Sequence, residues 1–168
     1  MISTRILPLT ALLLTAAIFG FFYAWVCSTM WGLDRLPPAR AIEAMQAMNA
    51  SVRNAVFFPA FFLTPVALFA LSLALALKRR KAPATWFGVS ALVYLIGGFG
   101  VTALVNVPMN EALAEVDLAN TAADVTAIWR DYSDQWQFWN QIRTVASGLA
   151  VIMAGLGLTG LTGLGRAA

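Results

Sequence analysis

Residues 6–33 read ILPLTALLLTAAIFGFFYAWVCSTMWGL, bounded by Arg5 and Asp34 and free of any charge between them. A hydrocarbon core about 30 Å thick is crossed by about 20 apolar residues of helix, so this run can span a bilayer with tilt to spare. A basic residue ahead of an apolar stretch also opens a secretory signal, but here the run far exceeds the roughly 7–15 residues of such a segment and no A-x-A-like site follows it. The expectation is therefore a retained first span. Cys27 follows bulky Trp25 and Val26, where lipoprotein processing requires small residues, so it is expected to be a buried helix cysteine.

The rest of the chain has the same character. Of 168 residues, 60% are hydrophobic and 11% charged, and mean hydropathy is +0.75; a soluble domain carries about 25% charged residues. Three further runs of spanning length occupy residues 54–77, 82–110 and 144–165. The expected fold is all-α: one integral membrane domain over residues 1–168, a four-helix bundle with two outer amphipathic helical connections. The absence of histidine and the single cysteine exclude His-based zinc or haem ligation, Ser-His-Asp and Cys-His catalysis and an intramolecular disulfide.

Charge sets the expected orientation. Residues 78–81 are Lys-Arg-Arg-Lys in a short hairpin between the second and third spans, which the positive-inside rule places in the cytoplasm. Four spans bring both termini to that side, with Arg5 and Arg166. All eight acidic residues fall in the two outer connections. The expected location is a bacterial inner (cell) membrane. The basic excess is used for orientation, so no nucleic-acid partner is expected; the lipid bilayer is, and a homo-oligomer is compatible with such a bundle.

Polar chemistry is concentrated at the outer ends of the spans. In the first connection Pro37 and Pro38 can start a helix, and Ile42, Met45, Met48 and Val52 recur at helical spacing. On that helix Gln46, Asn49 and Arg53 share a face, with Glu43 a turn earlier and Asn54 one residue on. In the second span Pro59 and Pro65 each remove a backbone hydrogen bond and should loosen its first half; Phe57, Phe58, Phe61 and Phe62 could line a cavity or pack on lipid. Gly88, Gly97, Gly98 and Gly100 in the third span allow close helix approach. The span ends in Asn106-Val107-Pro108-Met109-Asn110, two amides four residues apart beside a proline that frees the Leu104 carbonyl.

Beyond it, Leu113, Val116, Ala119 and Ala123 are spaced for helix before a break near Asn120 and Thr121. A second outer helix follows through Val125, Ile128, Trp129, Tyr132, Trp136 and Trp139, leading into the fourth span. There Trp136, Asn140 and Arg143 fall at i, i+4 and i+7 with Trp139 beside them; an aromatic belt accounts for the tryptophans but not for Asn140 and Arg143. Ala146, Ala150 and Ala154 form a small-residue stripe suited to close packing. The candidate ligand-binding set is Gln46, Asn49, Arg53, Asn54, Asn106, Asn110, Trp136, Trp139, Asn140 and Arg143. Asn106, Asn110, Asn140, Arg143 and Glu43 are the candidates for catalysis, and no metal site is expected.

Three blocks, N-x-x-V-R-N (Asn49 to Asn54), N-V-P-M-N (Asn106 to Asn110) and W-x-x-W-N-x-x-R-T (Trp136 to Thr144), together resemble the DUF1772, or anthrone oxygenase-like, family of small four-span membrane proteins over nearly the whole chain. The resemblance implies the fold and, for a subset of members in polyketide pathways, oxygenation of an anthrone to an anthraquinone without metal or flavin. Such cofactor-free chemistry needs a base, donors for an enolate oxygen and an apolar slot. Asn106, Asn110, Asn140 and Arg143 could be the donors, faced by Asn49 and Arg53; Trp31, Trp136 and Trp139 could form the slot. With no histidine, Glu43, Asp131 or Asp134 would have to serve as base through burial. Three functions stay open at this point: binding of a lipid or small hydrophobic or aromatic molecule, cofactor-free monooxygenation, and a structural or partner-binding role.

Overall fold

The computed structural model describes residues 3–121 and 123–163, with side chains from Ile6 to Leu161; the Arg5 side chain and Arg166, two of the charges used for orientation, lie outside the described residues. Five helices form, with no strand among the described residues. Helix α1 runs from Ser3 to Leu33 as an α-helix Ser3–Ala24, a π-helical turn Trp25–Thr29 and a last turn Met30–Leu33. The outer helix α2 is Pro38–Ser51 and the second span α3 is Phe57–Leu77. Helix α4, Lys81–Ala114, contains two π-helical stretches, Tyr94–Gly100 and Thr102–Asn106. Helix α5, Val125–Gly163, is a single rod of 39 residues, about 58 Å long at 1.5 Å per residue. The second outer helix and the fourth span are thus one element that overreaches the hydrocarbon core. Four of the helices are long and apolar enough to cross a membrane, and the chain is an integral membrane protein.

Consecutive spans pack side by side, and α5 closes the ring against α1. Three apolar tiers fill the interior. At one end Leu68, Leu71 and Leu75 meet Ala84, Phe87 and Ala154. Ile18, Phe22, Phe61, Tyr94 and Ala150 form the middle. At the other end α2 lays Ala41, Ile42 and Met45 against Met30, Leu113, Trp129 and Trp136. The small residues allow the approach: a methyl group on Gly97 would collide with the Ala146 side chain, and one on Gly157 would come within 2.7 Å of the Phe87 ring. Ser90 crosses the same seam to donate to the Ala150 carbonyl at 2.7 Å.

The prolines loosen α3 less than expected. Pro59 lies in the first turn, where no amide is needed. Pro65 removes the donor to the Phe61 carbonyl, and the buried Tyr94 hydroxyl of α4 replaces it at 2.9 Å. The α3 aromatics pack between helices rather than line a cavity: Phe57 and Phe61 join Phe21 of α1 to Phe99 of α4 in a chain at 4.8 to 5.3 Å, while Phe58 and Phe62 face outward. Helix α4 stops at Ala114, short of the expected continuation. Asp117 takes over the local donors, accepting from the Ala119 amide at 3.0 Å and the Asn120 side chain at 2.6 Å, so a turn replaces helix there. Cys27 is exposed instead of buried, because the π-helical turn that carries it buries none of its side chains.

Candidate functional site

The polar residues gather between the middle tier and the tier under α2, and the break in α4 puts them there. Pro108 cannot donate to Leu104, and the ladder before it slips by one residue: Val107 N–H donates to the Thr102 carbonyl, five residues back. The widened turn Thr102–Asn106 presents Thr102, Asn106 and, one α-turn later, Asn110 in succession along the helix. Facing them, α5 carries Tyr132, Trp136, Asn140 and Arg143.

Arg143 is the centre of this cluster. It is 5% exposed and lies in the bundle instead of at the head of a span. Its guanidinium sits over the rings of Phe22, 4.6 Å from the centroid, and Trp136, 5.0 Å away. Phe22 stands about 16 Å along α1 from the Leu33 end at 1.5 Å per residue, so the charge is buried deep. Nη1 donates to Thr102 Oγ1 at 3.3 Å and Nη2 to Asn140 Oδ1 at 2.8 Å; Nε has no partner. No carboxylate faces it among the described ion pairs. Two ring faces contribute about 0.5–2 kcal/mol each, against a desolvation penalty of several kcal/mol for an enclosed ion. The imbalance leaves the cation in need of an anion.

Asn106 has the same deficit. It is fully buried and neither Nδ2 nor Oδ1 meets a partner. Its neighbours in the helix are both engaged, Thr102 by Arg143 and Asn110 by α5. Asn110 Oδ1 accepts from Tyr132 Oη at 2.8 Å and from Trp136 Nε1 at 2.9 Å, which fixes the indole beside Arg143. Asn140, 1% exposed, spends its amide between the Phe22 carbonyl, at 3.1 Å, and Arg143. It therefore ties α1 to α5 and aims the guanidinium. A cavity of about 80 Å³ adjoins Asn140 and is lined by Trp25, Val26, Trp31, Gln137 and Gln141.

The other sequence-selected residues lie around this centre. Gln46 Nε2 donates to the Leu113 and Val116 carbonyls at 2.9 and 3.1 Å and so caps the end of α4 from α2. Asn49 Nδ2 reaches Tyr132 Oη at 3.5 Å. Arg53 forms an exposed ion pair with Glu111 at 3.3 Å. Asn54 Oδ1 accepts from the Val56 and Phe57 amides at 2.8 and 2.9 Å, capping α3. Trp139 is half-buried against Phe138 and does not join the cluster. Glu43 pairs with Arg40, Asp131 pairs with Arg130, and both are exposed with Asp134, so none of the three carboxylates considered as base is enclosed. Among the described residues no group of three or more Cys, Asp or Glu side chains converges to hold a metal.

Residues 45–153 match the anthrone oxygenase family, 65% of the chain. The chain belongs to that family. No curated protein and no solved structure matches it. The matched segment holds the candidates Gln46, Asn49, Arg53, Asn54, Asn106, Asn110, Trp136, Trp139, Asn140 and Arg143, while Glu43 and the α1 residues Phe22 and Trp25 lie outside it. Asp34, at the end of α1, accepts from Trp129 Nε1 at 3.1 Å, Ser133 Oγ at 2.7 Å and Gln137 Nε2 at 2.9 Å. It was not among the candidates. The four-residue spacing of 129, 133 and 137 marks one polar face of α5, and that signal could have found it. Thr102 carried no comparable signal, since it lies in an apolar run, and Tyr132 reads as one position of the apolar stripe of the second outer helix.

Proposed function

We propose that this anthrone oxygenase family member binds a small, flat hydrophobic molecule between α1, α4 and α5, with an anionic or enolisable oxygen at Arg143 and Asn106. The observation that carries the proposal is the pair of enclosed, unpartnered groups, Arg143 Nε and the Asn106 amide, on facing helices inside the bundle. A guanidinium stabilises the charged form of a bound enol, so the ligand's ionisation is favoured on binding. The cavity beside Asn140 is smaller than the roughly 300–1,000 Å³ of sites that enclose drug-sized ligands. A ring-sized ligand therefore requires Trp25 and the outward-facing Trp31 to move apart.

Family membership favours a second, catalytic reading of the same site. In it the ionised anthrone reacts directly with dioxygen: one oxygen atom becomes the new carbonyl, the other leaves as water, and the anthrone is oxidised to an anthraquinone. Arg143 and Asn106 stabilise the enolate oxygen, which makes up for the lack of an enclosed carboxylate base.

Both readings are tested with purified protein and 1,8-dihydroxyanthrone, following the enolate absorbance and oxygen uptake. Arg143→Met is expected to weaken binding by about ten- to a hundredfold, the loss of one charge-assisted hydrogen bond. Enolate binding without oxygen uptake retains the first reading and rejects the second. Absence of binding by the wild-type protein rejects both.

The charge distribution supports a cytoplasmic position for residues 78–81 and a bacterial inner membrane as the location. In a Cys27→Ser background, a membrane-impermeant maleimide added to intact cells should label Asn120→Cys and leave Lys78→Cys unlabelled. The reverse pattern would invert the orientation.

A further inference from the structure

At the opposite end of the bundle, α3 ends in a tight turn whose chemistry the site above does not use. Arg80 N–H donates to the Leu75 carbonyl and Arg79 N–H to the Ala76 carbonyl, both at 2.9 Å, closing the helix in a Schellman turn. The left-handed position of such a turn usually belongs to glycine, but Arg79 occupies it, with φ 58°. Lys78, Arg79 and Lys81 are exposed around it. Arg80 is drawn inward, and its Nε and Nη2 are enclosed without a hydrogen-bond partner. The 13-residue helical segment Lys81–Val93 starts at this point with no side-chain cap on its first amides. No Asp or Glu occurs between Asn54 and Asn110, so this end of α3 and α4 has no side-chain carboxylate of its own.

Two guanidinium nitrogens shielded from water without a partner are costly, and Arg80 directly precedes Lys81, where an uncapped helix N-terminus also favours negative charge. Four cations and no acid at the level where a span leaves the bilayer match the surface of an anionic leaflet. We propose that residues 78–81 and the start of α4 form a binding site for the phosphate of an anionic phospholipid, with Arg80 as its anchor. The geometry separates this site from a diffuse basic surface, because Arg80 is part-buried with two enclosed nitrogens while its three neighbours are exposed.

The test is lipid retention and thermal stability of the full chain in phosphatidylcholine nanodiscs, with and without phosphatidylglycerol. Wild-type protein is expected to retain phosphatidylglycerol and to unfold at higher temperature in its presence. Arg80→Gln should weaken retention by about tenfold or more, the loss of a charge-assisted contact, while Lys78→Gln, which removes the same charge from an exposed position, should cost about fivefold or less. Equal losses in the two variants would overturn the site. Equal protection by inorganic phosphate in pure phosphatidylcholine would overturn the lipid assignment. Should Arg80→Gln fail to fold, Arg80→Lys carries the same test, with weaker retention expected and unchanged retention overturning the proposal.

Discussion

Asn106→Leu is expected to raise the stability of the bundle by about 1–3 kcal/mol and to abolish binding of an enolisable ligand. The two side chains are close in volume, so the substitution leaves neither a cavity nor a clash of consequence. What changes is a fully buried amide whose donor and acceptor both lack partners; leaving such a group unsatisfied costs about 1–3 kcal/mol. Leucine removes that cost and adds apolar contact. Proteins retain a destabilising polar group where function needs it, and this variant separates the two roles. Thermal unfolding in detergent, read beside ligand titration, gives the answer. A fall in stability would show that the Asn106 amide holds the helices together, and the binding proposal would lose its main support. Higher stability with unchanged binding would place the ligand elsewhere.

The fold was legible because it rests on one quantity, the length of charge-free runs. The charge-free run between Arg5 and Asp34 lies within the first helix, whose segment Ile6–Leu33 is long and apolar enough to cross a membrane. Boundaries were less legible at the outer ends, where polar residues continue a helix past the bilayer. Hydropathy ended the third run at Asn110 and began the fourth at Thr144, whereas the helices extend to Ala114 and begin at Val125. Such ends are decided by tertiary partners: Gln46 holds the last carbonyls of α4, and Asp34 grips α5 through three side chains.

The candidate site was legible in its residue types and not in their states. Helical spacing put Asn106 with Asn110 and Trp136 with Asn140 and Arg143; of these Asn110 meets Trp136, and Arg143 meets both Trp136 and Asn140. The sequence cannot show that Asn110 is saturated while Asn106 is bare, because the difference arises from a slipped hydrogen-bond register before Pro108 and from which α5 side chains lie opposite. Nor could it place Arg143. An arginine one residue ahead of an apolar run reads as an interfacial anchor, and here the rod of α5 carries it to the level of Phe22, between two aromatic faces. Phe22 itself lies in a run of apolar residues that no pattern distinguishes.

Asn110→Leu, the same chemical change one turn further along α4, is expected to have the opposite sign. It should destabilise the bundle by about 2–5 kcal/mol, because the lost oxygen accepts from both Tyr132 Oη and Trp136 Nε1, and each buried donor left without an acceptor costs about 1–3 kcal/mol. The indole would lose the bond that fixes it beside Arg143 and 5.0 Å from Trp25, so ligand affinity should fall as a secondary effect. Asn110→Asp keeps an acceptor for both donors and should be milder. Adding Tyr132→Phe to Asn110→Leu removes one of the stranded donors, so the double variant should recover about 1–3 kcal/mol relative to Asn110→Leu. Additive losses in that cycle, measured by thermal unfolding and near-ultraviolet circular dichroism of the tryptophans, would mean that Tyr132 and Asn110 act independently. With Asn106→Leu stabilising and Asn110→Leu destabilising, two asparagines on one helix would be assigned to opposite tasks, one to a ligand and one to the fold.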